Sequence, residues 1–210
     1  MRSRKERILD IAELLNQAYP DAACELDFRT PFQLLVATIL SAQCTDVRVN
    51  MVTPELFRRF PGPGELASAP REEVEELIRS TGFFRNKARS IQEAARMLLS
   101  DFGGELPRSL EEMIRLPGVG RKTAKVVLGE AFMIPAGIAV DTHLRRLAAR
   151  LDLSDARVPD RISADLEQLL PREKWLDFSL RLVLHGRRVC SARSPDCGSC
   201  VLATLCPAAV

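Results

Sequence analysis

Leu116-Pro117-Gly118-Val119-Gly120-Arg121-Lys122-Thr123-Ala124 is the stretch that decides the fold of this chain. Two glycines flank one apolar residue, proline opens the turn, and a basic pair stands where the next helix begins. Glycine reaches backbone angles closed to other residues, so Gly118 and Gly120 let the turn around Val119 present its N–H groups outward. With the positive end of the following helix, those donors make a site for an anion such as a DNA phosphate. Arg121 and Lys122 run against the preference for acidic residues in a first helical turn. A negative partner outside the chain, or special chemistry at Lys122, has to compensate. A bare G-x-G would be read as a tight αα-corner with solvated charges; the complete string favours the anion-binding turn.

Outward from that turn, apolar residues recur at three- and four-residue intervals, the period of a helix with one face on a core. The stripes are Ile8-Ile11-Leu15-Ala18, Phe32-Leu35-Val36-Ile39-Leu40, Val74-Leu77-Ile78 and Ile91-Ala94-Ala95-Leu98. Ala124-Val127-Leu128-Ala131, Leu144-Leu147-Ala148-Leu151, Ile162-Leu166-Leu169 and Trp175-Phe178-Leu182 follow. Thr30-Pro31 predicts an N-cap with proline at the first helical position. Ser109 and Glu112 have capping-box spacing, and Gly82 predicts a stop after Ile78-Arg79-Ser80-Thr81. Phe60-Pro61-Gly62-Pro63-Gly64, Phe102-Gly103-Gly104 and Pro135-Ala136-Gly137 predict loops. Alternating strand patterns are missing, and the expected fold class is all-α.

The 210 residues suffice for one large or two small domains with a sizeable core. Thirty Lys and Arg against 28 Asp and Glu leave a net charge of only +2, so nucleic acid would have to be met by a local patch. Arg181, Arg187, Arg188 and Arg193 give one such bias near the C-terminal end, opposed by Asp196. No run approaches the roughly 20 apolar residues that cross a bilayer. The basic start, Met1-Arg2-Ser3-Arg4-Lys5-Glu6-Arg7, leads straight into an amphipathic pattern without a signal-type apolar core. A soluble intracellular protein is expected, and in a reducing compartment its six cysteines are not explained by disulfides.

Cys190, Cys197, Cys200 and Cys206 are spaced C-x6-C-x2-C-x5-C, with turn formers between them (Ser194-Pro195-Asp196, then Gly198-Ser199). Four thiolates this close point to a metal or cluster site, and the spacing leaves zinc and an iron–sulfur cluster both open. Cys24 and Cys44 lie far apart beside apolar stretches and read as small buried residues or incidental thiols.

The glycine turn, the Val140-Asp141-Thr142-His143 stretch and the cysteine run together resemble the endonuclease III family of helix–hairpin–helix DNA glycosylases. Leu40-Ser41-Ala42-Gln43-Cys44-Thr45-Asp46-Val47 and Leu184-His185-Gly186-Arg187 agree with it, and the resemblance covers essentially the whole chain. It implies two helical lobes with a DNA-binding cleft between them. A six-helix lobe over residues 23–135 would carry the hairpin, and residues 1–22 with 136–210 would form a discontinuous cluster lobe. The cysteines would hold a [4Fe–4S] cluster. The implied activity is that of a bifunctional DNA glycosylase and AP lyase of base excision repair. It would act on oxidised pyrimidines and abasic sites in double-stranded DNA, as a monomer in the cytoplasm at the nucleoid, with no membrane partner.

The resemblance also assigns roles. Lys122 would attack the sugar C1′, expel the base and form a Schiff base, after which β-elimination cuts the strand. Only a free amine attacks, and the helix N-terminus and Arg121 both disfavour the charged form. Asp141 would be the catalytic carboxylate, and its place between Ile138-Ala139-Val140 and a helix also makes it a good N-cap. Chemistry on a duplex base requires extrusion from the stack. Gln43 would be a polar wedge and Phe83 an apolar one from the opposite side, where relatives carry leucine then tyrosine and this chain has Phe83-Phe84. Thr45 and Asp46 would shape the lesion pocket. Gly118, Val119, Gly120, Arg121, Thr123, His143, Arg187 and Arg193 would contact DNA, mainly as phosphate anchors whose grip weakens with salt.

Three rivals make different demands. A monofunctional mismatch glycosylase of the same fold usually lacks a lysine at position 122. A non-catalytic helix–hairpin–helix binder needs the hairpin but not Lys122 and Asp141 together. A zinc-stabilised interaction domain would be colourless.

Overall fold

Helices form wherever the apolar stripes predict them. The computed structural model describes residues 3–209, and among these the regular structure is helical. In chain order the α-helices are α1 (Arg4–Ala18), α2 (Pro31–Leu40), α3 (Asp46–Arg59), α4 (Pro63–Ser68), α5 (Arg71–Ile78), α6 (Phe84–Phe102), α7 (Leu110–Met113), α8 (Arg121–Phe132), α9 (Thr142–Arg150), α10 (Pro159–Leu169) and α11 (Trp175–Arg188). They fall into two compact units, one of Cys24–Ala136 and one combining Met1–Ala23 with Gly137–Val210. The longest helix has 19 residues, and no described helix is long and apolar enough to cross a membrane.

In the unit of Cys24–Ala136, α2 is the central element. Phe32 and every residue from Leu34 to Leu40 are buried, as expected of a helix that is apolar all round. Thr30 caps it, the hydroxyl accepting from the Gln33 N–H at 3.2 Å, with Pro31 at the first helical position. Helices α8, α3 and α6 pack around it, and α4 and α5 lie against α6. Gln92 of α6 is fully buried and its amide donates to the Ala69 carbonyl at 2.8 Å, fastening the end of α4. The expected loop at Phe60–Gly64 is shorter than its composition suggests, because Pro63 opens α4 and Gly64 lies within it. Ser109 does cap α7, its hydroxyl accepting from the Glu112 N–H at 3.2 Å. The Glu112 carboxylate accepts from that hydroxyl at 2.8 Å rather than from the Ser109 N–H, so the reciprocal half of the box is replaced.

In the other unit, Ile8, Ile11 and Leu15 of α1 are buried against α11 and α10, while Ala18, at the helix end, is exposed. Gly186 sets the closest approach of α11 to α9: a Cβ there would lie 3.0 Å from the His143 Cβ and 3.2 Å from the Leu147 Cδ1. Helix α1 is secured at its start by charge. Arg4 meets Asp152 at 2.6 Å and Asp155 at 2.8 Å, and Arg7 meets Asp152 at 2.8 Å.

Hydrogen bonding from Arg4, then from Arg7, holds the Asp152 carboxyl below the usual aspartate range. A carboxyl lowered in the folded state stabilises it fully above the unfolded value, near ~3.9, and that contribution vanishes as pH falls through the lowered value. Acidification from pH 5 to 2 should therefore loosen α1, seen as lower protection of its amides relative to their intrinsic exchange rates at each pH. Asp152→Asn should reproduce the loss at pH 7 and cost no more than about 1 kcal/mol, the ceiling for pairs this exposed.

Candidate functional site

The glycine turn is seated by what its neighbours bury. Leu116 and Val119 are buried on either side of Gly118, and the Val119 N–H donates to the Leu116 carbonyl at 3.1 Å. Gly118 has φ +80°, and a Cβ on it would lie 2.7 Å from the Ser90 Cβ of α6 and 3.5 Å from the Ile39 Cγ2 of α2. Gly120 is the N-cap of α8 and has no side chain to cap with. No acidic residue stands in the first turn, where Arg121 and Lys122 are exposed and Thr123 is half-buried. A turn that leaves its helix N-terminus without a side-chain acceptor, beside two cations, has the chemistry to accept an anion.

Two further predicted residues of this unit project from strained backbone. Gln43 follows α2 with φ 53° and is exposed; Phe83 precedes α6 with φ 48° and is 65% exposed. Its neighbour Phe84 packs against the core instead, with the Arg79 and Arg85 guanidinium groups 5.8 and 5.4 Å from its ring centroid. Ordinary core packing therefore describes Phe84, not Phe83. Thr45 is the N-cap of α3, its hydroxyl accepting from the Arg48 N–H at 3.3 Å, and Asp46 opens that helix.

In the other unit, Asp141 caps α9: its Oδ1 accepts from the Leu144 N–H at 2.7 Å. His143 lies in the first turn, its Nδ1 3.2 Å from the Arg146 guanidinium. The far end of α9 reaches the cysteine segment. Arg146 donates to the Cys190 carbonyl, and Arg150 donates to the Cys190 Sγ at 3.1 Å and to the Ser191 carbonyl at 2.7 Å. Cys190, Cys197, Cys200 and Cys206 line one cavity with Val189, Pro195 and Ala203. Among the described residues no three His, Cys, Asp or Glu side chains close on a single metal ion; the thiols surround a shared space.

Burial, with smaller contributions from the other three thiols, pushes the Cys200 thiol up. A positively charged iron core would relieve that penalty, and an all-sulfur set suits it. His185 is buried beside Cys200, its Nε2 3.3 Å from the sulfur and its Nδ1 2.9 Å from the Tyr19 hydroxyl. Burial pushes the imidazole down and the Tyr19 phenol up, so both stay neutral near pH 7. Arg187 and Arg193 are exposed near this segment, whereas Arg181 turns inward to the Tyr19 carbonyl at 3.1 Å. Sequence reasoning missed Arg146, Arg150 and His185. Their supporting role depends on contacts made 15 to 44 positions away along the chain.

Residues 36–172 match the HhH-GPD superfamily of base excision DNA repair proteins, and residues 190–206 match the iron–sulfur binding domain of endonuclease III. Endonuclease III of Synechocystis is 56% identical over 209 residues, covering 100% of this chain and 95% of the relative. That of Bacillus subtilis is 45% identical, covering 91% and 88%. A solved structure of a trapped endonuclease III–DNA covalent intermediate superposes with a TM-score of 0.94 at 43% identity, over 100% of this chain and 98% of that one. The chain therefore belongs to the endonuclease III family of helix–hairpin–helix base excision repair proteins. It is a DNA glycosylase and AP lyase with a [4Fe–4S] cluster as cofactor.

Two measurements test this geometry. Gly118→Ala meets both a left-handed backbone and the Ser90 Cβ, and should destabilise by about 1–3 kcal/mol in urea unfolding. Gly120→Ala, with φ −90° and nothing within 4 Å of the added carbon, should cost far less. Replacing any one of the four cysteines by serine should bleach the thiolate-to-iron absorbance near ~400 nm.

Proposed function

We propose that this enzyme excises oxidised pyrimidines of the thymine glycol type from double-stranded DNA and then cuts the abasic strand through a Schiff base on Lys122. The observation that carries the reading is Lys122 itself, an exposed amine in the first turn of a helix with no side-chain cap. N–H donors of the Gly118–Thr123 turn, other than that of Val119, which is bonded to the Leu116 carbonyl, would grip a backbone phosphate and bring the adjoining deoxyribose to the lysine.

The amine adds to C1′ as the C1′–N bond to the base breaks. The base leaves with a proton, and ring opening gives the protonated imine. Loss of a C2′ proton then drives cleavage of the C3′–O bond, which is β-elimination. Asp141 would stabilise positive charge developing on the sugar and assist proton transfer. Its Oδ1 is committed to the α9 cap, so the carboxylate is held in one orientation. That a relative has been solved as a trapped covalent intermediate with DNA supports a mechanism through a covalent enzyme–DNA species.

Extrusion of the lesion would use Gln43 and Phe83, both exposed, with Thr45 and Asp46 bordering the pocket. His143, Arg187 and Arg193 would add phosphate contacts. The [4Fe–4S] centre would serve as a rigid brace for the segment, held by Cys190, Cys197, Cys200 and Cys206. We assign the active species as a monomer in the cytoplasm at the nucleoid, a reducing setting that suits six cysteines none of which is in a disulfide.

Borohydride should trap an enzyme–DNA adduct on a thymine glycol duplex, and Lys122→Gln should abolish it. Trapping undiminished in the variant would move the nucleophile elsewhere. Asparagine caps as well as aspartate, so Asp141→Asn should melt like the parent while excision slows by about 100-fold or more. Equal binding of damaged and intact duplex, with no nicking, would leave only a DNA-binding scaffold.

A further inference from the structure

Residue 87 fastens the main chain on both sides of a kink. Its backbone N–H donates to the Phe83 carbonyl at 3.0 Å, and its Nζ donates to the Thr81 carbonyl at 2.7 Å. Between those carbonyls lie Gly82 at φ 71° and Phe83 at φ 48°. Thr81 is itself tied down, its hydroxyl donating to the Ile78 carbonyl at 2.8 Å. A left-handed phenylalanine is strained and persists only where its surroundings over-determine it. An exposed ring contributes little packing of its own to offset that cost. The two bonds from residue 87 supply the constraint.

This fastening is costly. Lys87 is only 6% exposed, and burial pushes its ammonium below the usual lysine value, an effect the nearby Cys44 partly opposes. An apolar side chain of the same length would fill the space without that penalty. Cys44 belongs to the turn after α2, where its N–H donates to the Ser41 carbonyl at 3.0 Å and where Gln43 stands exposed at φ 53°. One buried cation therefore lies close to both segments that present projecting, left-handed side chains.

We propose that Lys87 is a positioning residue for base extrusion: its Nζ–Thr81 bond holds the Gly82–Phe83 kink so that the Phe83 ring stands ready to enter the base stack. The proposal rests on the reading of Phe83 as a wedge. Lys87 touches no reacting atom. Its loss leaves the hairpin and Lys122 in place and frees the kink to relax toward ordinary backbone angles, withdrawing the ring.

Lys87→Met, Phe83→Ala and the double variant test it, each checked for a parental melting transition. Lys87→Gln replaces the methionine variant should that one fail to fold. Single-turnover excision of thymine glycol from duplex should slow by about tenfold or more in Lys87→Met and Phe83→Ala. The double variant should be no slower than Phe83→Ala alone, because both remove one device. In Lys87→Met, cleavage of an abasic site in single-stranded DNA, which needs no extrusion, should stay at the parental rate. Fluorescence of a 2-aminopurine beside the lesion should rise less on binding in Lys87→Met. Parental duplex excision by the Lys87 variants, or losses that multiply in the double variant, would overturn the assignment while leaving the wedge intact. Full duplex activity in Phe83→Ala would instead bring down the wedge reading itself, and with it the role given to Lys87.

Discussion

The missing side chain at Gly118 governs where the rest of the hairpin unit can sit. With φ +80° and the Ser90 Cβ only 2.7 Å from where a Cβ would be, the turn lies directly on the Ser90 side chain of α6, with Ile39 of α2 beside it. Those two helices then set everything else in that unit. Four residues beyond Lys87 on α6, Ile91 is buried in the core, and Ser90 beside it meets Gly118. The end of α2 supplies Ile39 under the hairpin and leads straight to the turn bearing Gln43. Seating the turn, projecting Phe83 and projecting Gln43 are consequences of one packed pair of helices. Displacing α6 by even a fraction of an ångström would be felt at all three, since packed interiors transmit strain rather than absorb it.

Much of this was legible in the sequence, for identifiable reasons. Helical periodicity is a local property, and the stripes from Ile8 to Leu182 mark helices because each face meets one core. Thr30-Pro31 and Gly82 are likewise local signals with local outcomes. Where reading failed, a stronger term intervened. Proline at position 63 nucleated α4 inside what composition marked as loop, and Glu112 bonded the Ser109 hydroxyl instead of its N–H. The choice between Phe83 and Phe84 as the packed ring lies beyond periodicity altogether. It follows from the kink at Gly82, which turns one ring out and the next in.

The cysteine segment shows the opposite division. Its ligand pattern is compressed into 17 residues and could be read directly, whereas what supports it is drawn from α9, α11 and Tyr19. Arg150 places a cation on the Cys190 sulfur and His185 places an imidazole on Cys200. With the Tyr19 phenol and the imidazole both held neutral by burial, the hydrogen-bond chain has one consistent direction when Cys200 is a thiolate. The phenol donates to Nδ1, and Nε2–H donates to sulfur. N–H groups aimed at ligand sulfurs offset their negative charge, and this lets a segment of exposed turns stay ordered around a cluster.

Strain and buried charge are concentrated in the hairpin unit in a way that stability alone does not demand. Its non-glycine residues with positive φ are Gln43, Phe83 and Met133, all exposed, and its buried Lys87 spends an ammonium on one carbonyl. A sequence selected only to fold would place glycine or asparagine at left-handed positions and an apolar residue at 87. The all-apolar α2 and the tight seat of Gly118 supply the surplus that tolerates these departures. Two of the three strained side chains, Gln43 and Phe83, are the ones proposed to fill the gap left by an extruded base. On that proposal the rigid helices carry the cost of holding the turns between them in place before DNA arrives.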